Sequence, residues 1–149
     1  MSGPTATIYF YGTLDEYGFL SNFSRHPIQL RGHTWPTCEH YFQAQKFAGT
    51  EHEGAILHAS SPTIAARLGR SRQRPLRPDW EQVKEEIMLD ALRAKFTQHL
   101  DLQARLLATG NATVVEHTAR DTYWADGGDG SGRNRLGELL MRVRGELAQ

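Results

Sequence analysis

The chain contains a single cysteine, Cys38. An internal disulfide is therefore impossible, as is a zinc site built on paired thiolates, and a lone thiol suits a reducing compartment. Nowhere is there a run of about 18 apolar residues, the length a membrane-spanning helix needs, and residues 1–7 lack the basic-then-apolar pattern of a secretory leader. Charge of one sign is missing too: 17 Lys and Arg balance 17 Asp and Glu over 149 residues. No global field draws the chain to nucleic acid or a membrane, so any affinity for anions has to be local. The seven histidines show no metal-binding spacing on a helix, and no Gly-x-Ser-x-Gly elbow is present. These absences leave a soluble cytoplasmic protein, one domain over residues 1–149 with its core at about 8–144, in which neither metal nor cofactor is expected.

The first 35 residues read as strand and loop. Ile8-Tyr9-Phe10-Tyr11 is a β-prone aromatic run ended by Gly12, and residues 18–23 follow as a loop. Residues 27–30 and 33–35, separated by Arg31-Gly32, form the arms of a hairpin. From Thr37 onward helices take over. Thr37 is a good N-cap, and the residue before Pro36 is kept out of the α region. Another helix begins at Ser61-Pro62, with Gly69 as its C′ stop. Asp79 and Gln82 form a capping box for a helix running to about Gln98. Its wide apolar arc, Val83, Ile87, Ala91 and Ala94 flanked by Met88, Leu92 and Phe96, marks it as central and largely buried. A shorter helix through Leu102, Leu106 and Leu107 stops at Gly110, and residues 112–116 are the last strand. A polar, glycine-dense connection over 117–132 leads to a final helix carrying Leu136, Leu139, Leu140, Val143 and Leu147. The expected fold is α+β, a single compact domain, mostly α-helical, with a small antiparallel β-sheet.

The stretch from Trp35 to Phe47 is the richest in chemistry. If Cys38 opens a helix, Glu39, Gln43 and Lys46 fall on one ridge at i, i+4 and i+7, with Phe42 beside them. Tyr41, Ala44 and Ala48 then face inward. A carboxylate, an amide and an ammonium sharing one face is either an idle surface ridge or a site. Arg67, Arg70, Arg72, Arg74 and Arg77, in a segment broken by Pro75 and Pro78, are either a solvated loop or a phosphate cradle. Residues 127–134 are either a structural hinge or an anion site at a helix start, where free N–H groups and the helix dipole favour negative charge. Tyr11, Phe23, Trp80, Tyr123 and Trp124 sit in loops or at element ends, where a ring stacks on a heterocycle or packs in the core. Trp80, opening its helix, is expected near a surface or cleft. Glu39, Asp121 and Asp126 are candidate acid–base carboxylates. His40 is a packing or capping residue. Taken together, these features describe a pocket for a phosphorylated ribose attached to an aromatic base.

The motif Trp35-Pro-Thr-Cys-Glu-His-Tyr-Phe-Gln-Ala-Gln-Lys-Phe47 is long and specific. With Leu20-Ser21-Asn22-Phe23, Leu68-Gly69-Arg70, Trp80, Ala94-Lys95-Phe96, Asp121, Trp124 to Gly127 and Asn134-Arg135-Leu136-Gly137, it closely resembles the NADAR domain family, and within it the YbiA-like N-glycosidases. The resemblance spans about Ile8 to Arg144. It implies a hydrolase of N-glycosidic bonds. One branch acts on phosphoribosylamino-pyrimidine intermediates of riboflavin biosynthesis, and another removes ADP-ribose from guanine in nucleic acid. The balanced charge favours the first, since a small metabolite needs only local arginines. The alternatives are the second branch, with ADP-ribosylated nucleic acid as partner, and a non-catalytic ADP-ribose-binding module. The resemblance places catalytic roles on Glu39, Lys46 and Asp121. Substrate contacts are expected from Tyr11, Asn22, Phe23, Gln43, Arg70, Trp80, Trp124, Asp126, Gly127 and Asn134. One departure is visible: Ala125 stands where the family usually has glycine after the tryptophan.

Overall fold

Arg31 and Gly32 both take positive φ, 53° and 80°, the pair of left-handed residues that a two-residue hairpin loop favours. They join β2 (Ile28–Leu30) to β3 (His33–Trp35) as the expected antiparallel pair, with Ile28 opposite Trp35. The Arg31 Nε donates to the Tyr41 hydroxyl at 2.9 Å, and the Trp35 indole N–H to the Leu30 carbonyl at 2.9 Å, so both turn and ring are tied down. The structure, a computed structural model, describes residues 6–149; part of the N-terminal stretch read above lies outside them. The chain divides into two compact units. One is Arg25–Gln98; the other joins the chain up to Ser24 with His99–Gln149.

In the Arg25–Gln98 unit, helix α1 (Cys38–Gln45) is packed by α2 (Glu51–Leu57), α3 (Pro62–Arg70) and α4 (Trp80–Gln98). Thr37 caps α1 as expected, its Oγ1 accepting the His40 N–H at 3.1 Å. His40 completes the cap. Its Nε2 lies 3.0 Å from the Ala59 carbonyl, which can only accept, so Nδ1 is left to accept the Thr37 hydroxyl at 2.8 Å. Burial keeps this imidazole neutral by lowering its pKa, against the Ala59 bond. All eight residues of α1 are buried. The ridge is therefore no surface ridge, and Ala48, expected to face inward, is exposed beyond the helix end. Helix α2 was not expected; its one buried residue, Ile56, leaves no apolar period to read.

Two further corrections concern helix ends. Gly69 is not a C′ stop, because α3 continues through it to Arg70 without a positive φ. The Asp79 carboxylate is gripped by the Arg77 guanidinium at 2.6 and 3.1 Å, so the expected reciprocal box gives way to an ion pair at the start of α4.

Helix α4 carries the expected buried arc, but also Lys95, only 1% exposed. Burial lowers the Lys95 pKa to about 8, against the Cys38 thiol, and raises that of Cys38 to about 11. Below about pH 8 Lys95 is charged in both folded and unfolded chains, and folding bears its desolvation. From about 8 toward 10.5 only the unfolded chain keeps that proton, so stability climbs. Above 9 the unfolded thiol ionises and the buried one does not, which pulls stability down. Stability is therefore expected to rise between pH 8 and 9, then level off. Urea unfolding of the wild type and of Lys95→Met at pH 7, 8 and 9 checks this. The variant should show no rise, and a wild-type midpoint indifferent to pH would refute it.

In the other unit, β1 (Thr7–Phe10) pairs with β4 (Thr113–Glu116) in parallel, Thr7 opposite Thr113 and Phe10 opposite Glu116. This parallel pair is a second small sheet, separate from the antiparallel hairpin of the other unit. A short 3₁₀ turn (Gly18–Leu20) lies in the expected loop, α5 (Leu100–Ala108) ends before Gly110, and α6 (Arg135–Leu147) closes the chain. Leu20, Leu106, Val114, Leu136 and Leu140 are at most 1% exposed and form the core of this unit. Asn134 precedes α6 at φ 51°, ψ 43°, a left-handed conformation asparagine tolerates. Its Nδ2 donates to the Val114 carbonyl at 2.9 Å and its Oδ1 accepts the Glu116 N–H at 3.0 Å. The side-chain amide thus does for β4 what a neighbouring strand's backbone does.

Candidate active site

Glu39 sits one residue into α1, and the helix period sets Gln43 one turn on. The Gln43 Nε2 donates to Glu39 Oε2 at 2.8 Å. Both side chains are buried, at 8% and 5% exposure. A carboxylate so enclosed and held in one orientation is arranged for acid–base or electrostatic work rather than for solubility.

Lys46 follows just past the end of α1. Its Nζ lies 5.9 Å from the Phe42 ring centre and 5.7 Å from that of Trp80, and donates to the Gly69 carbonyl at 3.4 Å. Burial lowers its pKa. The Glu39 charge opposes that shift, while Arg70 and Arg72 add to it. An amine that sheds its proton more readily than a surface lysine can serve as base or nucleophile. Trp80 is 6% exposed and meets Phe42 edge-on at 5.1 Å. Rather than a ring at the surface, it is a buried ring. Arg70 is exposed and, among the described residues, neither it nor Arg72 has an ion-pair partner. Arg77 is committed to the fold: besides Asp79 it binds the Gln45 carbonyl at 3.2 Å, and its own N–H bonds the Lys46 carbonyl at 3.1 Å. Within this unit, then, Glu39, Gln43, Lys46, Arg70 and Trp80 come together.

The remaining expected residues belong to the other unit. Asp121 Oδ1 accepts the N–H groups of Tyr123 and Trp124 at 2.9 and 2.8 Å, shaping the turn that presents the Trp124 ring, edge-on to Tyr123 at 4.9 Å. Asp126 is 4% exposed and organises the glycine loop. Its Oδ2 meets His117 Nδ1 at 2.7 Å, and its Oδ1 accepts the N–H groups of Thr118 and Gly128 at 3.1 and 2.8 Å. Burial acts to raise its pKa, but these three bonds outweigh it and hold the carboxyl below its usual value.

Of the two readings of 127–134 the hinge is the one the hydrogen bonds support, because most of its N–H groups are already used. Gly127 bonds the Asp121 carbonyl, Gly132 that of Asp126, Asn134 that of Ala125, and the first helical N–H groups, Arg135 and Leu136, bond Tyr123 and Trp124. The loop is a hinge locked onto itself. Ala125 is fully buried, so the methyl that marks its departure from the family points into the interior. Tyr11 is half-exposed after β1, Asn22 is buried, and Phe23 is partly buried with its N–H on Ser21 Oγ. Tyr9, His117, Asp126, Gly128 and Asn134 line an open groove of about 530 Å³. The His117–Asp126 bond and the Asn134 bridge had no signal in the sequence. Among the described residues no group of three His, Cys, Asp or Glu could hold a metal ion, and no helix is long and apolar enough to cross a membrane.

The profile of the NADAR domain matches residues 9–148, and the chain belongs to the NADAR domain family. It is 58% identical over 141 residues to the N-glycosidase YbiA of Escherichia coli (strain K12), covering 95% of this chain and 88% of that protein. The NMR structure of the same E. coli protein covers 99% of this chain and 88% of its own, at 56% identity and a TM-score of 0.90. A riboflavin biosynthesis protein of Vibrio vulnificus (strain YJ016) is 44% identical over 142 residues, 95% of this chain but 39% of that protein.

Proposed function

We propose that the chain hydrolyses the C–N glycosidic bond of phosphoribosylamino-pyrimidine intermediates of riboflavin biosynthesis, acting as one NADAR domain in the cytoplasm. It is a hydrolase of N-glycosyl bonds, as its N-glycosidase relatives are named. The observation that carries the reading is the pair at α1: a buried carboxylate held by Gln43, and just past the helix end, beside two aromatic rings, a partly buried amine with a depressed pKa.

Cleavage of C1′–N makes the sugar oxocarbenium-like, so it needs negative charge near C1′, an activated water, and a proton for the leaving nitrogen. Glu39 supplies the charge and takes the proton of the attacking water. The water oxygen bonds to C1′ as the C–N bond breaks, and Asp121 is the group proposed to protonate the departing nitrogen. Trp80 is the ring proposed to stack on the heterocycle, with Tyr11, Phe23 and Trp124 as further proposed ring contacts. Arg70 meets the phosphate. Asn22, Gln43, Asp126, Gly127 and Asn134 complete the proposed substrate contacts; the amides of Gln43 and Asn134 also hold Glu39 and β4. To the Lys46 amine we assign condensation with the aldehyde of the ring-opened sugar, releasing water. Its depressed pKa supports that role, and the alternative is charge neutralisation at the phosphate.

Incubating the protein in parallel with a phosphoribosylamino-pyrimidine and with ADP-ribosylated guanine in single-stranded DNA tests the reading. Free base is expected from the first. Release of ADP-ribose from the second alone would move the activity to nucleic acid, and binding of either ligand without turnover would leave only a binding module.

A further inference from the structure

Gly69 lies inside α3 with an ordinary helical backbone, where glycine costs about 1 kcal/mol relative to alanine. Turn geometry does not explain it. What does is the space above its Cα. A Cβ there would lie 2.0 Å from Gln43 Oε1, 2.7 Å from its Cδ and 2.8 Å from its Cβ. The Gln43 carboxamide therefore rests on the bare face of Gly69. Its Oε1 is buried with no hydrogen-bond partner, an arrangement that forgoes a bond in order to aim the other end of the amide. That end, Nε2, donates to Glu39 at 2.8 Å. On the other side of the same residue, the Gly69 carbonyl receives Lys46 Nζ at 3.4 Å.

We propose that Gly69 is a positioning residue for catalysis: its bare Cα seats the Gln43 amide that orients Glu39, and its carbonyl anchors the Lys46 amine. The proposal rests on Glu39 and Lys46 being the reacting pair. One glycine on α3 sets the two reactive groups of α1 relative to each other. Because Gln43 is 5% exposed, its side chain has no open space to retreat into. A methyl at position 69 pushes the amide off its seat and turns the Glu39 carboxylate with it, while leaving substrate contacts elsewhere untouched.

Gly69→Ala is expected to lower kcat by up to about 10²-fold, the loss that follows a misplacement of about 1 Å, with KM raised far less, by no more than the loss of the one Gln43 contact. Gln43→Gly, which removes all three atoms the methyl would meet, is expected to lower kcat to a similar degree. The double variant, in which the methyl meets an empty seat, should be no slower than Gln43→Gly alone. This non-additivity separates positioning from a general packing defect, for which the two losses multiply. Multiplying losses, or a raised KM with kcat unchanged, overturns the proposal. Should Gly69→Ala fail to fold, the double variant carries the test, and its kcat should equal that of Gln43→Gly. A crystal structure of Gly69→Ala, or of Gln43→Gly with and without the added methyl if the single variant fails, gives a readout without turnover. The Gln43–Glu39 bond should be lost in the first, and Glu39 should be unmoved by the methyl in the second. A bond kept at 2.8 Å, or a carboxylate displaced by the methyl without Gln43, refutes the link. If wild-type protein releases no base from its proposed substrate, the functional reading fails while this structural arm still decides the role of Gly69.

Discussion

Glu39→Gln is expected to lower kcat by about 10²–10⁴-fold, the range for removal of a positioned acid–base group, with the melting temperature unchanged. The substitution keeps shape and volume. Gln43 Nε2 can still donate to the remaining carbonyl oxygen, so the contact at 2.8 Å survives in neutral form. What disappears is the negative charge facing the developing cation and the ability to take a proton from water. A buried carboxylate is costly to the fold unless bonded, so losing the charge should not destabilise the chain. The readout is base release under saturating substrate together with thermal unfolding. Turnover within a few-fold of wild type would remove Glu39 from the mechanism. A large drop in melting temperature would make it a structural group instead.

Lys46→Met should cost at least about 10²-fold in kcat, and the pH dependence of the wild type distinguishes how the amine acts. The reactive form of a nucleophilic amine is the neutral one. Since burial with Arg70 and Arg72 depresses the Lys46 pKa, kcat should climb as pH rises through that lowered value. If Lys46 serves only as a cation, kcat should fall over the same range. Borohydride added during turnover gives the covalent counterpart: condensation of the amine with the sugar aldehyde expels water, and hydride reduces the imine to a stable secondary amine. Mass spectrometry should then find the sugar on the peptide carrying Lys46. Active enzyme with no adduct and a falling profile would leave the lysine a phosphate partner.

How much could be read beforehand depended on whether the deciding interactions were local. The Arg31-Gly32 turn, the Thr37 and Ser61 caps and the Gly110 stop are set by a few neighbouring residues, and all stand in the structure. The i, i+4 spacing of Glu39 and Gln43 likewise made their bond legible. Helix α2 escaped because it buries a single residue, and the pairing of β1 with β4 joins segments with most of the chain between them. Gly69 was mistaken for a terminator because a glycine demanded by a neighbouring helix is identical in sequence to one demanded by φ. Lys95 was invisible for a related reason: its burial is imposed by packing around α4, against the preference of its own side chain. The glycine loop left hinge and anion site both open, because the distant carbonyls that bind its N–H groups have no signature in the local sequence.

The Asn134 bridge has a bearing on self-association. A strand edge with open N–H and C=O groups can template a foreign strand, and proteins resist this by covering it. On β4 one flank is taken by β1 and the other by the Asn134 carboxamide together with the Asp126 N–H, which bonds the Glu116 carbonyl at 2.9 Å. Asn134 and the glycine loop thus leave a foreign strand no open ladder on that flank.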